Sequence, residues 1–400
     1  MQSIRVLIFL LICSFLKISN LNAQDKADTL KKIDIEYTSK GFQFKTKDNK
    51  YKLQIQSRLQ FRFSTPGDQD PVDFDDFNRD PQTTFKINRA RLKIGGNAFE
   101  PWLGYYFEYE LAQNNLLDFR IMIEKWSFFK IKVGQWKIDY SRERSISSGQ
   151  QQMVDRSIVN RPFTLDRQQG IAFYGRLNEG KISDFNYWIS ILTGNGRGTV
   201  NNDDKHLMYA GRIQWNFLGR ELGYTNSDLN RRSKPVGLVA LAGATNISQY
   251  TRFSSSGGGS LEGYEDGIPG QYEVNQWMFE TAFMYRGFSW SQEFHHKYIE
   301  DRINGGNNSL IGNYVMIGYF LNPLIHFIPK GTEVAFRHAF YDPNTSLEQV
   351  RGHEFGFAIN HFFNEHRNKL TMEFTRFIYD DNSSDNPEDF RFRIQWDISL

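Results

Sequence analysis

Three cations at alternate positions, Arg89, Arg91 and Lys93 in "INRARLKIGG", pose the first chemical question of this 400-residue chain. With a period of two they share one face of a strand, and Ala90, Leu92 and Ile94 share the other. Guanidinium and ammonium groups repeated along one face suit the recognition of oxyanions, through bidentate and charge-assisted hydrogen bonds. The same logic selects Lys52, Arg58 and Arg62 in "YKLQIQSRLQFRF", then Lys130 and Lys132, then Arg391 and Arg393 in the closing "FRFRIQWDISL". Phe85 and Ile87 break the alternation ahead of Arg89, which predicts a bulge or a late strand start.

A second collection of this chemistry lies in "YSRERSISSGQQQMVDRSIVNRPFTLDRQQG". Arg142, Arg144, Arg156, Arg161 and Arg167 stand there against Glu143, Asp155 and Asp166, with Ser147 and Ser148 as hydroxyl donors. The stretch is longer than an ordinary connection, and such loops usually carry function. A competing reading comes from Glu108, Glu110, Asp118 and Glu124, which fall on the same faces of nearby segments. Cross-strand pairing with these acids would make the wall charge-balanced rather than anion-attracting.

Other chemistry is sparse. His295 and His296 are adjacent, so a strand points them to opposite faces and no metal pair results. "GNGRG" at 194–198 lacks the Lys-Ser/Thr of a phosphate loop and reads as a flexible external tip. No motif sets a nucleophile beside a base, so the chain reads as a non-enzyme without cofactor, metal or nucleic-acid partner.

These residues need elements to position them, and the elements read as strands. Tyr51, Leu53, Ile55, Leu59, Phe61 and Phe63 alternate with polar residues, as do Tyr105, Phe107, Tyr109 and Leu111. Leu117, Phe119, Ile121 and Ile123 continue the pattern, and Phe390, Phe392, Ile394, Trp396, Ile398 and Leu400 close it. Similar segments fall near 84–97, 127–137, 170–178, 183–192, 207–218, 235–246, 274–286, 288–299, 311–322, 331–342, 351–362 and 369–380. With those above they number about 16, each long enough for a tilted membrane strand. Working back from the last strand, the external links are 64–83, 113–115, 138–169, 193–206, 247–273, 300–310, 343–350 and 381–388. The opposite links are mostly short, with 219–234 a long exception and the external "QNN" turn a short one.

The opening "MQSIRVLIFLLICSFLKISNLNAQ" has a basic residue, an apolar run and a small residue at Ala23, the build of a secretory signal peptide over 1–23. The only cysteine, Cys13, lies within it, so the exported chain carries neither disulfides nor thiolate ligands. Removing Arg5 and Lys17 from the 48 basic residues leaves them balanced against 46 acidic ones. Selectivity by charge must therefore come from placement. Residues 24–48 read as a polar N-terminal arm, and 49–400 as the strand domain. Aromatic residues at 16% suit rings lining two membrane interfaces. With an export signal, no partner helices and oily faces repeated on every strand, the solvent of those faces is lipid. The expected fold is all-β: a transmembrane antiparallel β-barrel whose polar faces line a lumen. A secreted β-sandwich binding protein is the alternative in another class.

"INRARLKIGGNAFEPWLGYYFEYELA", "KVGQWKIDYSRERS" and "DRSIVNRPFTLDRQQGIAFYG" resemble the phosphate-selective porin O and P family. The resemblance covers about 50–180, and the terminal strand and overall length agree. It implies a trimeric 16-stranded outer-membrane channel whose third external loop folds inward, passing anions along an arginine ladder to a central phosphate site. Carried over by motif, Arg89 and Arg91 would be ladder residues on the wall. Arg142, Arg144, Ser147, Ser148 and Arg156 would stand on the constricting loop. Small phosphate-like anions, outer-membrane lipid of a Gram-negative bacterium, two further copies and the barrel-assembly machinery at the C-terminal strand are the partners expected. The balanced charge, the lumen carboxylates and Leu400 in place of a terminal aromatic depart from that pattern. A general diffusion porin for small hydrophilic nutrients is the runner-up.

Overall fold

The computed structural model describes residues 33–68, 81–199, 201–254, 258–347, 351–380 and 388–400. The expected signal peptide, Cys13 and most of the 64–83 and 381–388 links lie outside them. Eighteen strands follow one another among the described residues: β1 (Ile33–Thr38), β2 (Gly41–Thr46), β3 (Lys52–Thr65), β4 (Thr84–Asn97), β5 (Leu103–Glu110) and β6 (Asn115–Ile123). Next come β7 (Lys130–Lys137), β8 (Arg167–Leu177), β9 (Phe185–Leu192), β10 (Met208–Trp215), β11 (Val236–Ser248) and β12 (Tyr272–Tyr285). The last six are β13 (Phe288–Asp301), β14 (Asn307–Phe320), β15 (Thr332–Asp342), β16 (Arg351–Asn364), β17 (Asn368–Asp380) and β18 (Glu388–Ser399).

From β3 onward each strand pairs antiparallel with the next, and β18 pairs back onto β3 with Ile398 opposite Leu59 and Phe392 opposite Thr65. That closes a barrel of 16 strands and removes the sheet edges that membrane lipid cannot satisfy. The strands coincide one for one with the alternating segments of the sequence. The two additional strands form a hairpin within the expected polar arm. Its second strand pairs with β3 at Lys52–Ile55, below the stretch that β18 occupies.

Alternation sets the faces. Leu53, Phe61, Phe119, Ile121, Trp277 and Phe374 are exposed on the outside, where lipid would meet them. Arg58, Gln60, Arg62, Gln395 and Asp397 are buried on the inside. The conflict at the start of β4 is resolved by a bulge. Gln60 opposes Arg89 and Phe61 opposes Ile87, so Asn88 is left over. Phe85 (83% exposed) and Ile87 can then face outward while Arg89, Arg91 and Lys93 face inward.

The hydrophobic core is not between sheets but inside the lumen. Trp136, Ile138, Tyr140, Met153, Ile158, Val159, Phe163 and Leu165 pack with wall residues such as Met278, Tyr314, Met316, Ala335, Ala339 and Ala358. The connection 138–166 therefore lies against the inner wall. It carries two single-turn helices, α1 (Arg142–Ser145) and α2 (Asn160–Phe163), and Ser141 caps α1 by accepting from the Arg144 amide.

Small wall residues make room for this loop. A Cβ on Gly312 of β14 would stand 2.5 Å from the Phe163 ring, and one on Gly149 would strike the Arg58 guanidinium. Either substitution would push loop and wall apart.

Candidate functional site

The loop is fastened to the far wall by carboxylates. Glu293 of β13 accepts from Ser141 Oγ and the Glu143 amide, both at 2.7 Å. Glu373 of β17 accepts from the Val154 amide at 2.7 Å, and Glu354 of β16 from the Ile158 amide at 2.8 Å. Glu333 of β15 accepts from Gln152 at 2.8 Å, and Lys369 donates to the Gln151 carbonyl at 2.7 Å. Apart from those of Ser141 Oγ and the Gln152 side chain, these are charge-assisted bonds to backbone groups that water would otherwise serve. The loop leaves β7, reaches β13, β15, β16, β17 and β18, and returns at β8.

Where it rests, the lumen is closed to solvent. Glu280, Glu293, His295, Lys297, Glu333, Asn360, Arg393 and Asp397 are all fully buried on the inner faces of β12–β18. On β4 and β6, by contrast, the side chains of Arg89, Arg91 and Arg120 keep 19%, 13% and 23% of their surface. Lys93 is also half-buried. The open part of the lumen runs beside β4–β6.

The twelve residues singled out in the sequence separate by what neutralises them. Arg58 donates to Asp397 at 3.1 Å and to Ser147 Oγ at 2.9 Å. Arg62 meets Asp155 at 2.6 Å and Asp68 at 3.0 Å. Arg393 meets Asp155 at 3.0 Å and donates to Glu373 through Nε, also at 3.0 Å, while Arg391 lies 3.8 Å from Glu373 and over the Phe377 ring. The expected patch of Arg58, Arg62, Arg391 and Arg393 at the closing seam does exist, and carboxylates hold it. Arg91 is paired with both Glu108 (2.9 Å) and Glu110 (2.7 Å), and Arg144 with Asp166 (2.6 Å). Arg89 donates to Gln60 at 2.7 Å and stands 3.5 Å from Asp155.

Others form no ion pair among the described residues, although Glu108 stands directly opposite Lys93. Among the described residues Lys93 makes no ion pair or hydrogen bond, although it faces the same passage. Arg156 donates only to the carbonyls of Glu143, Arg144 and Ile146, at 2.9, 3.2 and 2.8 Å. Arg142 gives its guanidinium to the carbonyls of Gly223 and Thr225. Ser148 has a buried hydroxyl without a hydrogen-bond partner among the described residues.

Two further cations belong here that the face rule did not select. Lys137 donates to the carbonyls of Arg144, Ser145 and Ile146 at 3.1–3.5 Å, with Arg156, Arg167, Arg144 and Glu108 among the charges around it. Gly134, at φ +126°, sits inside β7 before it, and an interior glycine was the available signal of irregular backbone. Arg197 comes from the "GNGRG" tip, where the sequence predicts flexibility. Instead the Gly196 amide donates to Gln168 and the Gly198 amide to Gln135, both at 2.8 Å, and Arg197 is brought near Asp166 as well as Arg167, Arg91 and Arg144.

Two loop acids show the cost of filling a lumen. Burial, with Glu293 nearby, pushes the Glu143 carboxyl up to about 7 against the opposing Arg337 and Ser157. For Asp155, burial works the same way, but Arg62, Arg393 and Arg89 outweigh it and hold the carboxyl well below the usual range. No cluster of three metal-ligating side chains occurs among the described residues.

A closed 16-stranded barrel with lipid-facing aromatics, a charged interior and a loop narrowing it defines an outer-membrane porin. The chain matches the family described as phosphate-selective porin O and P over residues 66–397, and it belongs to that family. No curated protein matches it in sequence. Among solved structures it is similar to an anion-selective porin from Comamonas acidovorans, with 11% identity and a TM-score of 0.55, covering 87% of this chain and 98% of that one. Pseudomonas putida OprB gives 9% identity, a TM-score of 0.57 and coverage of 87% and 94%. Vibrio cholerae OmpT in its trimer form gives 10%, 0.51, 87% and 99%. At these identities the likeness concerns the fold.

Proposed function

We propose that the chain forms a water-filled channel for passive uptake of small anions, with phosphate and related oxyanions as the favoured solutes. One observation carries this reading: the part of the lumen still open to solvent is lined by cations that carboxylates do not fully neutralise. Among the described residues Lys93, Arg156, Lys137 and Arg197 form no ion pair, although Glu108 stands opposite Lys93 on β5, and Arg89 has only the 3.5 Å contact with Asp155. Cations fixed along a narrow passage concentrate anions and offer them successive weak sites. The roles differ within the original set. Lys93, Arg89 and Arg156 act on the solute, and Ser147 and Ser148 flank them. Arg58, Arg62, Arg142, Arg144, Arg391 and Arg393 hold the loop and the seam, and Arg91 is screened by its two glutamates.

The pairing of Arg58, Arg62, Arg91, Arg144 and Arg393 favours the second reading, a general diffusion porin with weak selectivity. Family membership supports a homotrimer, export by a signal peptide over 1–23 and insertion through the barrel-assembly machinery. It also supports a channel role rather than catalysis. Planar-bilayer recording in chloride, with phosphate titrated in, separates the two readings. Saturating chloride conductance and block by phosphate are expected. Conductance linear in chloride, with free passage of neutral sugars, would leave the barrel in place and remove the anion site.

A further inference from the structure

We propose that the 219–234 link between β10 and β11 is a second constricting element, entering the lumen from the opposite mouth and locked to the 138–166 loop. The adjacent β12–β13 connection turns through Arg286 and Gly287 alone, so nothing in hairpin geometry requires so long a link. Leu222, Asn226, Ser227 and Asp228 are buried, which a turn hanging in solvent would not be.

Its contacts reach well beyond its own strands. Asp228 accepts from the Gly287 amide at 2.8 Å, Ser227 donates to Glu333 of β15 at 2.8 Å, and Thr225 meets His366 beyond β16 at 3.3 Å. Three hydrogen bonds join it to the external loop. Arg142 donates to the carbonyls of Gly223 and Thr225, the latter at 2.9 Å, and stands over the Tyr224 ring at 5.6 Å. Asn226 donates to the Gln151 side chain at 2.8 Å. Glu333 accepts from both elements, through Ser227 and through Gln152. Arg142, a buried guanidinium without an ion pair among the described residues, is explained by this contact. It satisfies carbonyls of an inward-folded turn that have no strand partner.

The two elements therefore act as one plug. It stops the lumen on the side of β11–β17 and leaves the passage beside β4–β6. Aperture is set from both mouths, and the inward turn is a size-determining part of the channel. This inference rests on the open-channel reading and not on anion preference.

The test replaces residues 220–233 with an Asn-Gly turn and records single channels from the purified, heat-modifiable protein. Conductance should rise by about twofold or more, since it follows pore cross-section. Unchanged conductance in an assembled barrel overturns the proposal. Should the shortened chain fail to assemble, Thr225→Cys decides in the exported chain, where it would be the sole thiol. Modification by a charged methanethiosulfonate should reduce the current if residue 225 stands in the passage. No change on complete modification places the turn outside it and overturns the proposal. The zero-current potential in the same recordings reports anion preference separately, so failure of one reading is distinguishable from failure of the other.

Discussion

Lys93 and Asp155 are the two residues whose surroundings most sharply separate binding from scaffolding. Lys93 is half-buried and faces Glu108 across β4 and β5 without forming an ion pair, whereas Arg393 is fully buried between Glu373 and Asp155. Replacing Lys93 and Arg156 together by Gln should lower the anion-to-cation permeability ratio several-fold and leave the folded barrel intact. Arg393→Gln should instead loosen the loop, with selectivity following only as conductance rises. Bilayer permeability ratios read both. Asp155→Ala would strip Arg62, Arg393 and Arg89 of a shared partner, and loss of one member of a buried ion network costs about 3–5 kcal/mol. Faster cleavage of the 138–166 segment by added protease would show it.

Glu143 adds a pH dependence whose sign follows from its raised value. Below its ordinary 4.5 the group is protonated in both docked and undocked loop, and docking is at full strength. Between 4.5 and about 7 the undocked form ionises first, so docking weakens as pH rises and then levels off. Asp155 runs the other way, stabilising docking above its ordinary range and losing that support only in strong acid. Loop opening, seen as current noise, should therefore increase from pH 4.5 to 7 in the native protein and increase less in Glu143→Gln. Identical pH profiles for the two would contradict the assignment.

At the scale of elements, one extra residue decides which way the cationic face points. Asn88 absorbs the parity change between Phe85–Ile87 and Arg89–Lys93. Deleting it would turn either the aromatic end or the three cations the wrong way, and a cation facing lipid at mid-membrane costs about 2–4 kcal/mol. The deletion should abolish the heat-modifiable folded band, while Asn88→Gly, which keeps the bulge, should retain it.

All 16 barrel strands were legible as strand-length segments, most of them with period two, because a wall with lipid on one side and water or charge on the other imposes that period. The bulge was legible too, from the break at Ile87. The partial filling of the lumen was not. Its signal lay in β14, where Leu310, Tyr314 and Met316 make the inner face apolar, and in Gly312, Ala335, Ala339 and Ala358, too small for a wall that faces water. Alternation alone scores such a strand as apolar on both faces and says nothing of what covers the inner one. The fate of Arg58, Arg62 and Arg89 was equally hidden, since pairing with Asp397 or Asp155 joins residues from opposite ends of the chain or from the loop.

For the whole molecule, a near-neutral sum of charges coexists with a sorted interior. Acids on β13, β15, β16 and β17 are consumed in holding the plug, and the cations left over face the passage beside β4–β6. The proposed anion preference would thus arise from what the fold neutralises rather than from composition. The most direct measurement is the zero-current potential of the purified channel in a planar bilayer under about a tenfold potassium chloride gradient, where fixed cations admit chloride over potassium. The sorted interior predicts a potential of the sign set by chloride, shrinking when Lys93 and Arg156 are neutralised. A potential near zero, or one of the sign set by potassium, would contradict it.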